Sequence, residues 1–151
     1  MVRSFLLSDL NRILEIEGEA FPKSPYSPSV FLHLHRLYPE TFLVYIDGSK
    51  KAEKAEIYGY VVFSKDGHLI SLAVHPCYRR KGIGASLIKK ALQILFGKRL
   101  WAEVRASNKG AQAFYRKLGF EIVGTLFNYY GDEDALLVQR TTSKIGRAPQ
   151  P

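Results

Sequence analysis

Apolar positions recur along this chain with two periods, and the switches between them lay out its elements. Leu10, Ile13, Leu14 and Glu17 follow helical spacing behind Ser8, a candidate N-cap, and predict a first helix from about Asp9 to Gly18. Pro22, Pro25 and Pro28 then interrupt the pattern. Residues 21–27 should form a stiff exposed loop containing aromatic side chains, and Ser27-Pro28 should open a second helix reaching about Tyr38. Phe42 to Ile46 reads as a strand, Asp47 to Glu56 as a charged hairpin loop, and Ile57 to Phe63 as a strand closed by the turn Asp66-Gly67. Leu69 to Val74 completes this meander. Ile83, Leu87, Ile88, Ala91, Leu92 and Leu95 form one stripe of a helix running from Gly82 to Phe96 and ended by Gly97. Leu100 to Val104 alternates as a strand, and Asn108 or Ser107 caps a short helix whose inner face is Ala111, Phe114 and Leu118. Gly119 stops that helix, and Phe120 to Phe127 and Ala135 to Arg140 supply the last strands of an α/β chain without internal repeats.

A length of 151 residues with 46% hydrophobic and 13% aromatic content suits one domain, expected over residues 1–140. Residues 141–151 hold few apolar side chains and two prolines, the composition of a disordered basic tail. The longest apolar runs are too short to span a bilayer, and Met1 to Phe5 lacks the apolar core of a signal peptide, so a cytoplasmic location is expected. Cys77 is the single cysteine and cannot form an internal disulfide. No metal is expected: His33, His35, His68 and His75 show no ligand spacing with Cys77 beyond His75-x-Cys77. The net charge is +8, of which Lys144 and Arg147 supply two, leaving +6 for residues 1–140. That balance favours a polyphosphate ligand and equally suits RNA or ribosome association, so charge alone does not choose.

The choice comes from Arg79-Arg80-Lys81-Gly82-Ile83-Gly84-Ala85, which joins the strand ending at Val74 to the periodic helix. The first turn of a helix presents unpaired N–H groups and a positive dipole end, glycines let a bulky pyrophosphate approach, and three cations add charge at the rim. No G-x-x-x-x-G-K-[ST] is present, and the Gly82-x-Gly84 pair lacks the third glycine of a dinucleotide fingerprint. The stretch Arg79-x-x-Gly82-x-Gly84, behind Leu72-Ala73-Val74-His75-Pro76, resembles motif A of the GCN5-related N-acetyltransferases. A second block, Glu103-Val104-Arg105-Ala106-Ser107-Asn108 followed by Phe114-Tyr115 and Leu118-Gly119-Phe120, is similar to their protein N-terminal members, the RimI-like and archaeal group. Gly18-Glu19-Ala20-Phe21-Pro22 with Tyr26, and Asn128-Tyr129-Tyr130 leading to Glu133-Asp134-Ala135, extend the likeness over most of residues 1–140.

The resemblance implies a mixed, mostly antiparallel sheet of about seven strands flanked by about four helices. It implies acetyl transfer from acetyl-CoA to a protein amino terminus, by direct attack in a ternary complex. Leu72, Ala73 and Val74 would hold the pantetheine arm and acetyl group, with a bulge or splay freeing a backbone N–H for the thioester oxygen. Arg79, Arg80, Lys81, Gly82, Ile83, Gly84 and Ala85 would hold the pyrophosphate, and Asn108 the pantetheine. Tyr115 would protonate the leaving thiolate, although spacing alone places it beside Phe114 at the edge of the core. Glu103, on the Trp101 face of its strand, would take the amine proton; a simple salt bridge is the competing reading. Glu19 competes for that task, against a role as a solvated helix end. Phe21, Tyr26, Tyr129 and Tyr130 would line the peptide site, and the loop after Tyr130 is one residue shorter than is common in the family. The resemblance leaves open acetylation of lysine side chains or small amines. A partner subunit or the ribosome, and a monomeric or weakly dimeric state, are compatible with it. From a different class, a non-catalytic basic RNA- or ribosome-binding module also stays open at this point.

Overall fold

The computed structural model describes residues 1–48, 56–96 and 98–141. Residues 49–55 of the expected hairpin loop, the expected stop at Gly97 and the tail from residue 142 lie outside the described residues. The chain packs into two compact units, residues 1–65 with 69–91 and residues 66–68 with 92–151.

In the first unit, β1 (Val2–Ser4), β2 (Phe42–Ile46), β3 (Ile57–Phe63) and β4 (Leu69–Val74) pair antiparallel in the order β1-β2-β3-β4. The helices are α1 (Leu10–Ala20), α2 (Pro28–Leu37) and α3 (Ile83–Ile94), of which α3 contributes through Ala91. Strand β1 has too short a pattern to be seen in sequence. It exists because the edge of β2 offers a ladder, with Arg3 opposite Val44. Helix α1 starts within one residue of the expected Asp9, but Ser8 does not cap it: Ser8 lies inside a 3-10 turn, Leu7–Asp9, and Asp9 holds the N-cap position without a side-chain capping bond. The Asp9 carboxylate accepts two Arg3 guanidinium bonds, at 2.8 and 3.0 Å, and the Leu6 N–H at 2.8 Å. Helix α2 begins where Ser27-Pro28 predicts, because proline at the first helical position forfeits no helical bond.

Ile13 and Ile16 of α1, Phe31 of α2, and Phe42, Val44, Tyr60 and Val62 of the sheet are buried in one cluster. Phe5 stacks on Phe42 at 4.1 Å between centroids, and Phe31 meets Tyr60 edge to face at 5.5 Å. Each such side chain contributes roughly 1.5–3 kcal/mol by leaving water.

The second unit holds β5 (Arg99–Arg105), α4 (Lys109–Lys117), β6 (Glu121–Leu126) and β7 (Ala135–Thr141), with an antiparallel sheet in the order β5-β7-β6. Leu100, Ala102 and Val104 are buried, while Trp101 and Glu103 share the half-buried face, as the alternation requires. On α4 the inner residue is Tyr115, and Phe114 is half-buried, which corrects the inner face read from spacing. The Tyr115 ring lies edge to face on Phe114 at 5.2 Å and on Phe120 at 5.1 Å. Strand β6 is an edge strand, bulged at Val123, where Ile122 pairs with Val138 and Gly124 with Leu137. Its Ile122, Val123 and Leu126 and the following Phe127 are exposed.

Gly67 forms the turn read from Asp66-Gly67, with φ +103°. A Cβ there would sit 1.8 Å from the Arg99 carbonyl oxygen, and the Gly67 carbonyl accepts the Trp101 N–H at 2.9 Å. Gly67→Ala is therefore expected to destabilise the fold by roughly 2–4 kcal/mol, through strain at positive φ and displacement of β5. Urea unfolding followed by circular dichroism measures this; a loss under about 0.5 kcal/mol would contradict the close approach.

Candidate active site

In the first unit the site is built on β4, the edge strand of its sheet. His75 donates its N–H to the Tyr58 carbonyl at 2.8 Å, and Ala73 lies opposite Tyr60, so the alternation of an antiparallel ladder turns the Ala73 backbone toward β3. The N–H and C=O groups of Leu72 and Val74 consequently point to the open edge. The Val74 carbonyl accepts the Arg79 Nε–H there, at 3.2 Å. The irregularity expected beside these residues lies upstream instead. Val62 pairs with Ser71 and Phe63 with Leu69, leaving Ile70 as the extra residue. Leu72 and Val74 thus keep backbone groups outside the β3 ladder because of their place in the β4 alternation, and the bulge lies at Ile70.

After β4 the chain makes a 3-10 turn, Pro76–Tyr78, and enters α3 through exposed Arg79, Arg80, Lys81 and Gly82. Arg80 and Gly82 have φ of +64° and +76°. These two left-handed residues bend the loop so that the Gly82 carbonyl starts the helix, accepting the Ser86 N–H at 3.0 Å. The N–H groups of the first helical turn, through Ala85, then face outward without helical acceptors. No described atom lies within 4 Å of a Cβ placed on Gly82. Glycine is needed here for conformation and for approach from outside. Tyr78 anchors the loop from behind: its ring stacks on Tyr58 at 3.9 Å and its hydroxyl donates to Glu56 at 2.9 Å.

In the second unit Glu103, Tyr115, Tyr129 and Tyr130 form one electrostatic neighbourhood. The turn at Gly67 delivers His68 alongside β5, where its ring stacks on Trp101 at 5.4 Å and its Nε2 meets Glu103 Oε1 at 2.8 Å. The hydrogen bond to Glu103 raises the His68 pKa, against an opposing effect of burial. Burial, at 7% exposure, pushes the Tyr115 phenol well above its ordinary range, and the neighbouring Tyr130 and Glu103 add to the shift. Tyr115 is a protonated donor at neutral pH. Burial likewise raises Tyr129, with Glu103 contributing.

The turn carrying Tyr129 and Tyr130 is fixed by charge. Arg105 bonds Asp132 at 2.9 Å and Glu133 at 3.1 Å while its guanidinium lies 4.1 Å over the Tyr130 ring. The N–H and hydroxyl of Ser107 donate to Glu133 at 2.9 and 3.0 Å, and these bonds are the main reason its pKa is lowered. Asn108 caps α4 by accepting the Ala111 N–H on Oδ1 at 2.9 Å.

Two of the candidate carboxylates differ sharply in setting. Glu103 is half-buried and paired with His68, whereas Glu19 is exposed in the last turn of α1. Phe21 and Tyr129 are exposed and Tyr26 and Tyr130 half-buried. Sequence reasoning missed His68 and Glu17. His68 has no local signal, since its partner is 35 residues away. Glu17 had one, a carboxylate on the apolar stripe of α1.

The Acetyltransferase (GNAT) family model matches residues 10–120. A putative [ribosomal protein bS18]-alanine N-acetyltransferase of Bacillus subtilis is 32% identical over 148 residues, covering 95% of this chain and 96% of that protein. An N-alpha-acetyltransferase of Sulfurisphaera tokodaii is 34% identical over 158 residues, covering 91% of this chain and 90% of that protein. The crystal structure of Ard1 from Thermoplasma volcanium superposes with a TM-score of 0.79 at 28% identity, covering 93% of this chain and 96% of that one. The chain belongs to the GNAT acetyltransferase family, whose acyl donor is acetyl-CoA. Among the described residues, the four α-helices and the antiparallel sheets of four and three strands are those of that fold.

Removing the partner tests the pairing in the second unit. Glu103→Gln should return the His68 pKa toward its ordinary value of about 6.5, measured by NMR titration of the imidazole. Because His68 titrates higher in the folded chain, the stability lent by the pair is complete below about pH 6.5 and is lost as pH rises through the raised value. An unmoved titration would disprove the pairing.

Proposed function

We propose that this chain transfers acetyl from acetyl-CoA to the α-amino group of protein amino termini, by direct attack in a ternary complex. The observation that carries the reading is the grouping, in the second unit, of a protonated buried phenol with a histidine–carboxylate pair. One group can give a proton and the other can take one. Relatives whose names specify amino-terminal acetylation supply the acceptor class.

The coenzyme brings an activated acyl group and a thiolate leaving group, and the residues present fit it. A helix N-terminus with outward N–H groups and three exposed cations suits a pyrophosphate. The open edge of β4 at Leu72 and Val74 offers backbone groups to an amide-bearing arm and an N–H to a carbonyl oxygen. Asn108 keeps its side-chain NH₂ available after capping with Oδ1. The Tyr115 Oη holds the proton that a thiolate requires. His68, when neutral, or Glu103 through it, receives the proton of the attacking amine.

The acceptor's own chemistry favours an α-amine. With a pKa near about 8, roughly a tenth of it is neutral at pH 7, whereas a lysine near about 10.4 is almost wholly charged. A modest base suffices for the first. Phe21 and Tyr26, and Tyr129 and Tyr130, are assigned to the acceptor peptide. Glu19 is assigned to the approach of its charged amine and not to proton transfer, because it stands in solvent.

Thiol release measured across peptides with free and blocked α-amines tests the whole reading; equal rates on both would overturn it. Tyr115→Phe keeps the ring packing and should lower kcat by about 10²-fold with acetyl-CoA affinity nearly unchanged. An unaltered kcat would remove Tyr115 from the mechanism. Gly82→Val strains a left-handed residue and obstructs the cradle, and should weaken acetyl-CoA binding at least about tenfold by calorimetry. Unchanged affinity would mean the phosphates sit elsewhere.

A further inference from the structure

Glu17 is 2% exposed and sits among Ile13, Ile16, Phe31 and Tyr60, yet the chemistry above leaves it unused. Its two oxygens serve opposite directions. Oε1 accepts the hydroxyl of Tyr60, which is itself in contact with the Ser71 hydroxyl at 2.8 Å, and Oε2 accepts the Tyr26 N–H at 2.9 Å. Burial raises its pKa while the bonds from Tyr60 and Tyr26 oppose that rise. A leucine would fill this space without any desolvation cost, so the carboxylate needs a reason to be there.

We propose that Glu17 is a positioning residue, holding the acceptor loop of residues 21–27 in register with the strand that receives the acyl donor. This rests on the functional reading above. The Tyr26 ring meets Phe31 edge to face at 5.8 Å, and the main chain of the loop is held as follows. Pro22 and Pro25 bring no N–H, the Phe21 and Ser24 N–H bonds stay within four residues, and Tyr26 is the point where its main chain meets α1 again. At the other end of the chain of bonds, Ser71 lies on β4 immediately before Leu72. One carboxylate thereby joins the peptide-binding segment to the strand whose open edge is assigned to the acetyl group. Holding acceptor and donor at a fixed offset is where most of the rate of such a transfer originates.

Glutamine is the diagnostic replacement, because it has the same shape but only one accepting atom. If its oxygen keeps the Tyr60 hydroxyl, its NH₂ faces the Tyr26 N–H, donor against donor. Glu17→Gln should lower kcat/KM for peptide roughly tenfold, with the KM for acetyl-CoA changed by less than about twofold. Tyr60→Phe cuts the link to Ser71 and β4 but leaves the Tyr26 bond, and should lower the peptide kcat/KM in the same direction, by about threefold. An unchanged peptide kcat/KM in Glu17→Gln, or equal effects on both substrates, would overturn the proposal. So would a Tyr60→Phe that leaves the peptide kcat/KM unchanged. If Glu17→Gln does not fold, hydrogen exchange at the Tyr26 amide of the intact wild-type chain decides. Protection supports the tether, and exchange at the rate of an open loop overturns it. Wild-type protein with no turnover on free α-amines would refute the functional reading alone and leave the exchange result standing.

Discussion

Within its sheet, strand β4 forms ladder bonds with β3 alone, and the donor side of the proposed chemistry rests on that asymmetry. Its inner groups fix it to β3, which makes it rigid; its outer groups at Leu72 and Val74 are spared. Arg79 reaches back to the Val74 carbonyl, so the loop that follows is attached to the strand before it bends into α3. A rigid strand, an anchored loop and a helix N-terminus follow one another within a short stretch of chain. Backbone positions are thereby fixed before any ligand arrives, and this preorganisation makes hydrogen-bond donors effective in catalysis.

In the second unit a buried phenol and a histidine share one carboxylate neighbour, the arrangement that the proposed proton transfers require. Burial keeps the Tyr115 proton in place, and the negative charge of Glu103 reinforces it. The same Glu103 raises the affinity of His68 for a proton. One carboxylate thus pushes both groups in the same direction, toward protonation, but from different ordinary values, so that His68 titrates far below Tyr115. In the proposed mechanism this gap leaves the phenol protonated when the histidine is neutral.

Much of this was legible in the letters, and the exceptions share a cause. The helix at Ile83, the cap at Asn108 and the turn at Gly67 have local signatures, and each stands where its signature places it. Glu103 could be put on the correct face of β5 because a strand alternates strictly. His68, Glu17 and β1 derive their roles from partners distant in sequence, and no window of neighbouring residues contains that information. Tyr115 fell between the two cases. Its helical period was readable, but which side of α4 turns inward is settled by Phe120 and the sheet, so the phenol proved deeper than its neighbour. Asp9 stands at the head of α1 in place of Ser8 for a similar reason, since its carboxylate is held by Arg3 on β1 and by the Leu6 N–H and not by the helix.

The bulge at Val123 has a colloidal consequence. Ile122, Val123, Leu126 and Phe127 leave an oily margin on β6, and a straight margin of that kind would template the addition of further chains, one sheet onto the next. The extra residue breaks the spacing of exposed amides and sharpens the local twist. An incoming chain would find no continuous run of matching groups along this greasy rim, and the bulge works against stacking of sheet upon sheet.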